Sequence, residues 1–419
     1  MLAKIAWKNL TDKKLNSFLC ILLMALGIGL ISLLVILSKQ FEEKFTKNIS
    51  GIDMVVGAKG SPLQLILSSV YQVDNPTGNI PLNQVNALRK NPLIEKVIPM
   101  SMGDNYKGYR IVGTNKSYLE HFKAEIAEGE LFAENLEVVV GAVAAGNLGL
   151  KVGDDFHSAH GLDSEGETHD HEHFVVSGIL KFNNSVVDNL ILTSLNSVWA
   201  VHEHSSEEIS NVQLPTPNKQ GSEANGEPLT INIEPVTPDR DITSALVKFR
   251  SPMGMMTVPR NINENSTMQA ALPAIEVNRL FELLGVGVST LRALALAIML
   301  ISGISVFVSL YNSLKERRYE MALMLSMGAS RLQLFGMLLL EGLILGMLGY
   351  VIGLIVSRIG IWLVSKQVAE SYHFDISQVT FQPEEGWLFL AAIGIGLLAA
   401  ALPSLGIYRL NISETLADD

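Results

Sequence analysis

The stretch RRYEMALMLSMGAS, residues 317–330, lies between two long apolar runs in the C-terminal part of the chain. From Tyr319 onward its apolar residues recur at a spacing that predicts a short, partly buried helix. Gly328 is predicted to end this helix, because glycine adopts the left-handed conformation at little cost. Ser330 is then placed to cap the next helix, which is predicted to begin at Arg331. The chain is therefore expected to leave one apolar run, form a short helix and turn back into the next run.

The composition indicates a membrane protein with a large soluble part. The chain has 419 residues, is 48% hydrophobic and has a mean hydropathy of +0.29, which soluble domains rarely reach. The apolar excess lies in one run near the start and three near the end, with roughly 250 residues of ordinary composition between them, enough for one or two domains. The net charge of −11 argues against nucleic acid as a partner. The single Cys20 lies in the first run, so the middle region has no disulfide.

Four apolar runs are long enough to cross a membrane. The first, Phe18 to Leu37, has no charged residue among its 20 positions and matches a hydrocarbon core about 30 Å thick. The alternative is a cleaved signal peptide, but residues 37–41 make a poor cleavage site, so we favour an uncleaved anchor. The other runs cover about 293–314, 335–364 and 387–405.

The predicted fold class is an α-helical membrane protein with four transmembrane helices in a 1+3 arrangement. A large α+β extracytoplasmic domain lies between spans one and two. The predicted segments are a cytoplasmic amphipathic N-terminal segment at 1–17, the first span at 18–38, the extracytoplasmic domain at 39–290, the second span at 291–314, a cytoplasmic loop at 315–334, the third span at 335–364, a short outer loop at 365–386, the fourth span at 387–405 and a cytoplasmic tail at 406–419.

Lysine and arginine in the short flanks predict the orientation, because they are enriched on the cytoplasmic side. The flanks assigned to the cytoplasm contain Lys4, Lys8, Lys13 and Lys14, then Lys315, Arg317, Arg318 and Arg331, and finally Arg409. The outer loop has only Lys366, and Trp362 and Trp387 fit an interfacial aromatic belt beside it. Both termini are therefore predicted to be cytoplasmic. The large domain lies outside, which in a two-membrane bacterium is the periplasm.

Two charged residues interrupt the third run. Glu341 and Arg358 are 17 residues apart, so we expect them near opposite interfaces with their side chains reaching outward. The alternative is a buried acid that pairs with another helix. The spans offer no further ionisable groups for a proton relay, which weighs against an ion-coupled transporter. Gly342, Gly346 and Gly349 predict a flat face that another helix can approach, which suits a dimeric membrane core, although glycine is also common in spans generally.

Three segments resemble one known family. AWKNL at 6–10, the loop at 317–330 and PSLGIYRLNISETL at 403–416 are similar to the amphipathic first helix, the coupling segment and the closing segment of permeases of the MacB, LolC and FtsX superfamily of ABC transporters. In these permeases a glutamate and a glycine-rich helix follow the coupling segment, as Glu341 and its neighbours do here. The resemblance implies a separate ATP-binding subunit that carries ATP and magnesium, a second permease copy or a paralogue, contact with membrane lipid, and a periplasmic or outer-membrane partner.

The same resemblance implies which residues meet the ATPase. The residues at matching positions are Arg317, Arg318, Glu320, Met321, Leu323, Met324, Gly328, Ala329 and Ser330. Without the resemblance, the alternative is a loop that merely re-enters the membrane and has no partner. Methionine-rich faces often serve at contact surfaces, but they also occur in ordinary cores.

The chain has no sequence signature of an enzyme. A phosphate-binding loop needs the pattern GxxxxGK[ST], and no such string occurs. GAKGSP at 57–62 has the wrong spacing and is predicted to be a turn. Neither GxSxG nor HExxH is present. We therefore expect ATP hydrolysis in a separate nucleotide-binding subunit.

The region between the first two spans shows a mixed pattern. Strands are predicted at 95–100, 109–112, 138–140, 174–180 and 189–193, and helices at 81–89 and 270–284. Residues 205–228 are rich in Ser, Glu, Asn, Pro and Gly and predict a flexible excursion.

Histidines concentrate in one part of this domain. Seven of the nine lie at His157, His160, His169, His171, His173, His202 and His204. They are mixed with carboxylates, and the alternation at 169, 171 and 173 puts three residues on one face of an extended segment. Such a set suits Zn²⁺, Cu²⁺ or Ni²⁺, and the lack of a Cys or Met cluster argues against Cu(I). Zinc is the preferred hypothesis, and a solvated acidic loop is the alternative.

Three functions are compatible with these features. The first is a permease subunit that transmits ATPase motion to the outer domain, with a lipoprotein, lipid, peptide or drug as client. The second is a regulatory or scaffold membrane protein that acts on a periplasmic partner and transports nothing. The third is a permease linked to zinc, with the histidines as its receptor.

Overall fold

The computed structural model describes residues 2–161, 168–210, 240–372 and 382–409. The chain divides into two compact units. The helical unit comprises Met1–Glu43 and Phe281–Asp419, and the sheet unit comprises Lys44–Leu280. Each unit has cores of its own, so the two are described separately below.

Long apolar helices make up the helical unit. The helices with residues in this unit are α1 (Leu2–Asp12), α2 (Lys14–Ile49), α9 (Pro273–Glu316), α10 (Arg318–Ser326), α11 (Arg331–Tyr372) and α12 (Pro383–Ser404), and a 3₁₀ turn at Leu405–Arg409 follows them. Within the described residues, four of them are long and apolar enough to cross a membrane, namely α2, α9, α11 and α12. This number agrees with the predicted 1+3 arrangement.

The core of the helical unit lies around α2, which has the largest buried share of the four long helices. Met24 and Ile28 of α2 are fully buried and belong to one cluster with Ala295 of α9, Leu345 of α11 and Ala392 of α12. Small residues at several of these positions allow the helix backbones to approach closely. The apolar residues on the outside of α9, α11 and α12 face away from this core, as expected for helices surrounded by lipid.

The sheet unit combines one large mixed sheet with short helices. Its strands are β1 (Met54–Ala58), β2 (Ile80–Pro81), β3 (Ile94–Tyr106), β4 (Tyr109–Thr114), β5 (Ile126–Gly129), β6 (Glu137–Val140), β7 (Asp155–His160), β8 (Thr168–Leu180), β9 (Ile191–Ser194), β10 (Asp241–Ile242), β11 (Ser244–Phe249) and β12 (Met268–Ala271). Its helices are α3 (Pro62–Ile66, continued by a π turn at Leu67–Tyr71), α4 (Leu82–Leu88), α5 (Lys116–Phe122), α6 (Ala142–Leu148), α7 (Leu195–Ser210) and α8 (Met253–Asn265), with a 3₁₀ turn at Val186–Asn189.

The large sheet has the order β12-β1-β11-β3-β4-β9-β6-β8-β5, and β7 pairs with both β3 and β8. The pairs β4–β9 and β6–β8 are parallel, whereas the other ladders are antiparallel. Strands β2 and β10 form a separate two-stranded sheet. Because β3 is 13 residues long, it links one half of the sheet to the other.

Two hydrophobic cores stabilise the sheet unit. The first packs β1, β3 and β11 against α4 and α8, with Met54, Val247 and Val258 among its buried members. The second joins β4, β6, β7 and β8, where Phe156 and Phe174 stack with ring centroids 5.8 Å apart. Each core contains alternating apolar residues from neighbouring strands, which is why the strand periodicity is visible in the sequence.

The structure corrects three predictions for this unit. Residues 57–58 end the buried strand β1, so the predicted turn starts later, at Lys59. Ala270 and Ala271 belong to β12, because they pair with β1, and the helix starts only at Pro273. Residues 205–210 continue α7, whereas the rest of the predicted excursion, from 211, lies outside the described residues. In each case pairing or packing overrides a local signal from glycine, alanine or serine.

Candidate functional site

The helix α10 connects the end of α9 to the start of α11, and its inner face is buried. Met321 and Ala322 are 1% and 0% exposed. Met321 packs with apolar residues of α9, of α11 and of the turn after α12. The cluster contains Leu314, Met321, Leu334, Leu338 and Ile407, with Met324, Leu325 and Phe335 partly buried against it. This loop is therefore anchored on the helical unit.

The outer face of α10 carries an apolar stripe. Tyr319, Leu323 and Met327 are 45%, 43% and 72% exposed and follow one another at a spacing of four residues, so they lie along one side of the helix. We call these three residues the contact stripe. Arg318 and Glu320 are exposed beside it. An apolar patch with charged neighbours outside the apolar span segments is typical of a protein contact surface.

The helix α10 ends just before the predicted glycine, and the predicted serine caps the next helix. Gly328 has a φ of +99°, in the left-handed region, and its backbone N–H donates to Leu325 O at 3.1 Å. The Ser330 Oγ accepts from the Gln333 backbone N–H at 3.2 Å, and the Gln333 Oε1 accepts from the Ser330 N–H at 2.9 Å. This reciprocal pair caps α11 and fixes the angle at which the chain turns.

Polar contacts join α1, and Lys13 in the turn after it, to the end of α9 and to α11. Lys13 forms an ion pair with Glu316, and the Arg317 Nη2 lies 3.7 Å from the Asp12 Oδ2. The Asn9 Nδ2 donates to Glu341 Oε1 at 2.6 Å. The first helix is thus connected to both helices that flank α10.

The Glu341 side chain does not reach outward, as the sequence predicted, but is buried within the chain. It is 2% exposed, and its carboxylate points to Asn9. A buried carboxylate is stable only with hydrogen-bond donors, and α1 supplies one. The sequence signal that could have found this pairing is the asparagine in AWKNL, a polar residue on an amphipathic helix.

The Arg358 side chain also turns inward instead of reaching outward as predicted. Its Nη2 donates to Glu385 Oε2 at 2.8 Å, and Glu385 is fully buried near the start of α12. The Ser32 Oγ donates to Glu385 Oε1 at 2.6 Å and lies 2.9 Å from the Ser357 Oγ. One buried acid therefore links α2, α11 and α12. Sequence reasoning missed Glu385, because it lies just before the apolar run and resembles a boundary residue.

The glycine-rich face of α11 is used within the chain. A Cβ at Gly342 would collide with the Gly396 carbonyl oxygen, and one at Gly346 would lie 2.8 Å from the Ala392 oxygen, both on α12. A Cβ at Gly349 would lie 2.8 Å from the Met24 Cβ of α2. The close approach predicted from these glycines is thus present, but its partners are helices of the same chain and not a second copy.

The structure separates the described histidines into two places. His157 and His173 lie opposite each other on β7 and β8, with ring centroids 4.1 Å apart, and the His173 Nδ1 is 3.5 Å from the Asp155 Oδ2. On α7, the His202 Nε2 is 3.6 Å from the Oδ2 of the buried Asp104. Among the side chains that the structure describes, no group of three His, Cys, Asp or Glu could hold a metal ion.

The remaining histidines have described backbones only. His160 lies in β7, His169 and His171 in β8, and His204 in α7, and their side chains lie outside the described part of the structure. Asp104 was missed by sequence reasoning. A single acid within an apolar strand would have been the only signal.

One more histidine in the sheet unit, His121, has a lowered pKa. Burial lowers the pKa of His121, and the nearby Lys96 and Lys248 lower it further, while a hydrogen bond to the Ser50 backbone opposes these effects. Its Nε2 is buried without a hydrogen-bond partner among the described residues. These surroundings favour the neutral form of the His121 imidazole.

Two family models match the chain and agree with this architecture. The model of the FtsX-like permease C-terminal domain matches residues 292–412, and that of the MacB-like periplasmic core domain matches residues 17–244. The crystal structure of the periplasmic region of MacB from Actinobacillus actinomycetemcomitans is similar at 13% identity, with a TM-score of 0.33, over 57% of this chain and 98% of its own. No curated protein matches the chain.

The two family models indicate a membrane protein with an extracytoplasmic α+β domain and a role of the ABC transporter permease type. The chain belongs to the family of MacB- and FtsX-like permeases. Membership implies, in general terms, an ABC ATPase as partner, and permeases of this family are typically non-enzymatic components.

Proposed function

We propose that this chain is the membrane-spanning subunit of an ATP-driven transporter and that it converts ATPase motion into motion of its extracytoplasmic domain. The contact stripe on α10 carries the proposal. Tyr319, Leu323 and Met327 stay exposed while the opposite side of the same helix is buried in the core. An apolar surface fixed in this way suits a rigid partner that pushes and pulls on it.

The proposed orientation follows from the charges around the spans. The basic residues of α1 and of the loop that contains α10 favour a cytoplasmic position for both, where an ATPase could bind. Both termini are then cytoplasmic, and the sheet unit is periplasmic, in the inner membrane of a bacterium. Because the chain lacks a phosphate-binding loop, ATP and magnesium would bind to the partner subunit.

The polar contacts supply a path for the motion. A displacement of α10 acts on the adjoining ends of α9 and α11, and α1 is tied to both by Lys13 and Asn9. The buried Glu385 then connects α11 to α2 and α12. The helix α2 runs to Ile49 and α9 begins at Pro273, so both carry residues of the sheet unit as well.

The client is proposed at the level of class: a lipoprotein, a lipid, a peptide or a drug-like molecule. Two copies of the permease, or this chain with a paralogue, would form the transporter with two ATPase subunits. Because the glycine face of α11 is occupied within the chain, the contact with a second permease would use other surfaces, such as the exposed side of α9.

The experiment places a photo-crosslinking amino acid at Leu323 of the full chain in its native host. We expect crosslinks to a protein that contains a phosphate-binding loop, and no such product from the same probe at Met256, a more exposed residue of the sheet unit. In a purified complex, Leu323→Pro should detach that ATPase, and Glu320→Lys should uncouple it. A complex of normal yield and activity from both variants would rule out α10 as the coupling site.

A further inference from the structure

An open cleft of about 340 Å³ lies on the sheet unit where β3 begins and β11 ends. Three basic residues contribute to its wall, namely Arg89 at the end of α4, Lys96 of β3 and Arg250 directly after β11. Glu95 is the only acid among the described residues of that wall. The cleft is therefore basic in a chain whose net charge is −11, and its volume is in the range of pockets that hold small ligands.

The lysines at the cleft have acidic partners. Lys96 and Lys248 are register partners on β3 and β11, so two like charges lie opposite each other. The Lys248 Nζ donates to Glu95 Oε1 at 2.8 Å, and the Lys96 Nζ donates to Glu120 Oε2 at 3.3 Å. Each lysine charge is thus offset by one carboxylate, and both carboxylates are occupied by these contacts.

The two arginines have no acidic partner among the side chains that the structure describes. The Arg89 Nη2 donates to Val97 O, a neutral carbonyl oxygen, at 3.4 Å. The Arg250 backbone N–H donates to Leu93 O at 2.9 Å. These contacts hold both arginines beside the same stretch of β3, although they are far apart in the sequence. Two guanidinium groups whose charge the described chain does not neutralise therefore line one cleft.

A bulge in the sheet lies at the same place. Lys248 pairs with Lys96, whereas the next residue, Phe249, pairs with Ile94, which leaves Glu95 without a register partner on β11. Such a bulge bends the strand and redirects the side chains beside it, and bulges are common next to functional sites. The bulge separates the paired lysines from Arg250, which follows Phe249 in the chain.

Neutral hydrogen-bond donors complete the wall. The Asn115 Oδ1 accepts from the Ser117 backbone N–H at 3.0 Å, a contact that uses neither the Asn115 Nδ2 nor the Ser117 Oγ. A guanidinium group donates two parallel hydrogen bonds to a phosphate or to a carboxylate. A carboxylate has two oxygens and satisfies one arginine in this way. A phosphate has oxygens for both arginines and for the neutral donors as well.

We propose that this cleft binds a phosphate group, with Arg89 and Arg250 as its main ligands and Lys96 and Ser117 as supporting donors. Two sources carry this group: the headgroup of a phospholipid, and a free phosphate ion in solution. They share the chemistry that the cleft recognises, and the experiment below separates them. The site lies wholly in the sheet unit and does not depend on α10, so it can be tested apart from the coupling proposal.

The test uses the full chain, purified in an uncharged detergent and a phosphate-free buffer near neutral pH, and measures binding by isothermal titration calorimetry. The probes are inorganic phosphate and a short-chain phosphatidic acid, whose headgroup is a phosphate monoester. We expect saturable binding of one phosphate group per chain. Arg89→Ala and Arg250→Ala should each weaken this binding at least about tenfold, because hydrogen bonds between charged groups are lost.

Arg260→Ala is the matched control. Arg260 belongs to the same unit, pairs with Glu264 and does not line the cleft, so its replacement removes the same charge and should leave binding unchanged. Arg250→Lys keeps the charge but loses the paired donors, so its affinity should lie between those of the unchanged chain and of Arg250→Ala. Arg89 and Arg250 are exposed, so their replacement should leave the melting temperature without ligand unchanged.

The relative affinities of the two probes identify the source. Phosphatidic acid that binds at least about tenfold more tightly than phosphate, with the same dependence on Arg250, indicates a lipid headgroup, whereas equal affinities indicate a free phosphate. The proposal is overturned if neither probe binds at millimolar concentration or if Arg250→Ala binds as tightly as the unchanged chain. It is also overturned if Arg260→Ala weakens binding as much as Arg250→Ala does.

Discussion

Removing the contact stripe should weaken ATPase binding by an amount that the exposed areas allow us to estimate. Together, the exposed fractions of Tyr319, Leu323 and Met327 amount to about one and a half side chains. Complete burial of a large apolar side chain contributes about 1.5–3 kcal/mol, so their burial under a partner contributes about 2–5 kcal/mol. The triple change of these residues to serine should therefore raise the Kd about 30-fold to several-thousand-fold. Leu323→Ser alone should account for about 1 kcal/mol, or roughly fivefold.

The assay titrates the detergent-purified permease with the ATPase that the crosslinking experiment identifies, and it measures the Kd of the complex. Met256→Ser is the matched control, because Met256 is 78% exposed and Met327 is 72% exposed, but Met256 belongs to the sheet unit. Met321→Ala tests the inner face. It should lower the melting temperature, since loss of a buried methionine side chain costs about 2–5 kcal/mol. A triple variant that folds and binds with an unchanged Kd would refute the assignment of this surface.

Three further predictions concern the polar contacts. Asn9→Ala should destabilise the helical unit by about 1–3 kcal/mol, because Glu341 then loses its donor in a buried site, and thermal unfolding in detergent measures this. Glu385→Gln should lower the free energy of unfolding by about 3 kcal/mol, because Arg358 is left without its counter-charge. The double variant with Arg358→Met should regain most of that stability, which a double-mutant cycle measures. His121→Gln should reduce the loss of stability of the sheet unit between pH 7 and 5, as followed by thermal unfolding at each pH.

The sign of the pH effect follows from proton binding. The pKa of His121 is lowered in the folded state, so below about pH 6.5 the unfolded chain binds more protons than the folded one. Its contribution is therefore complete above the unfolded pKa and is lost as the pH falls toward the folded pKa, at no more than about 1.4 kcal/mol per pH unit. An identical pH slope in His121→Gln would contradict this account.

The other two predictions have controls of their own. Glu341→Gln can still accept a hydrogen bond from Asn9, so it should destabilise the protein less than Asn9→Ala does. Additive losses of stability from Glu385→Gln and Arg358→Met would argue against the pairing of these two residues.

Much of the helical architecture could be predicted from local signals. The runs around 18–37 and 335–364 are apolar over a membrane thickness, and the turn at Gly328 and Ser330 has chemistry that a short segment defines by itself. The second half of strand β8, residues 174–180, was predicted from its β-branched and aromatic content, whereas β8 itself begins at Thr168. Strand β1 was missed, because its glycine and the following residues suggested a turn, and its partners β11 and β12 lie about 200 residues away.

The sequence by itself determined which segments are long and apolar enough to cross a membrane, where the chain turns between α9 and α11, and that no ATP-binding loop is present. Each of these depends on composition or on a few adjacent residues. Only the tertiary structure decided which charges are buried and what they contact. Glu341 meets Asn9 across 332 positions, Arg358 meets Glu385, and Asp104 meets His202. Such pairs depend on how separate helices and strands pack, and the local pattern of either partner does not reveal the other.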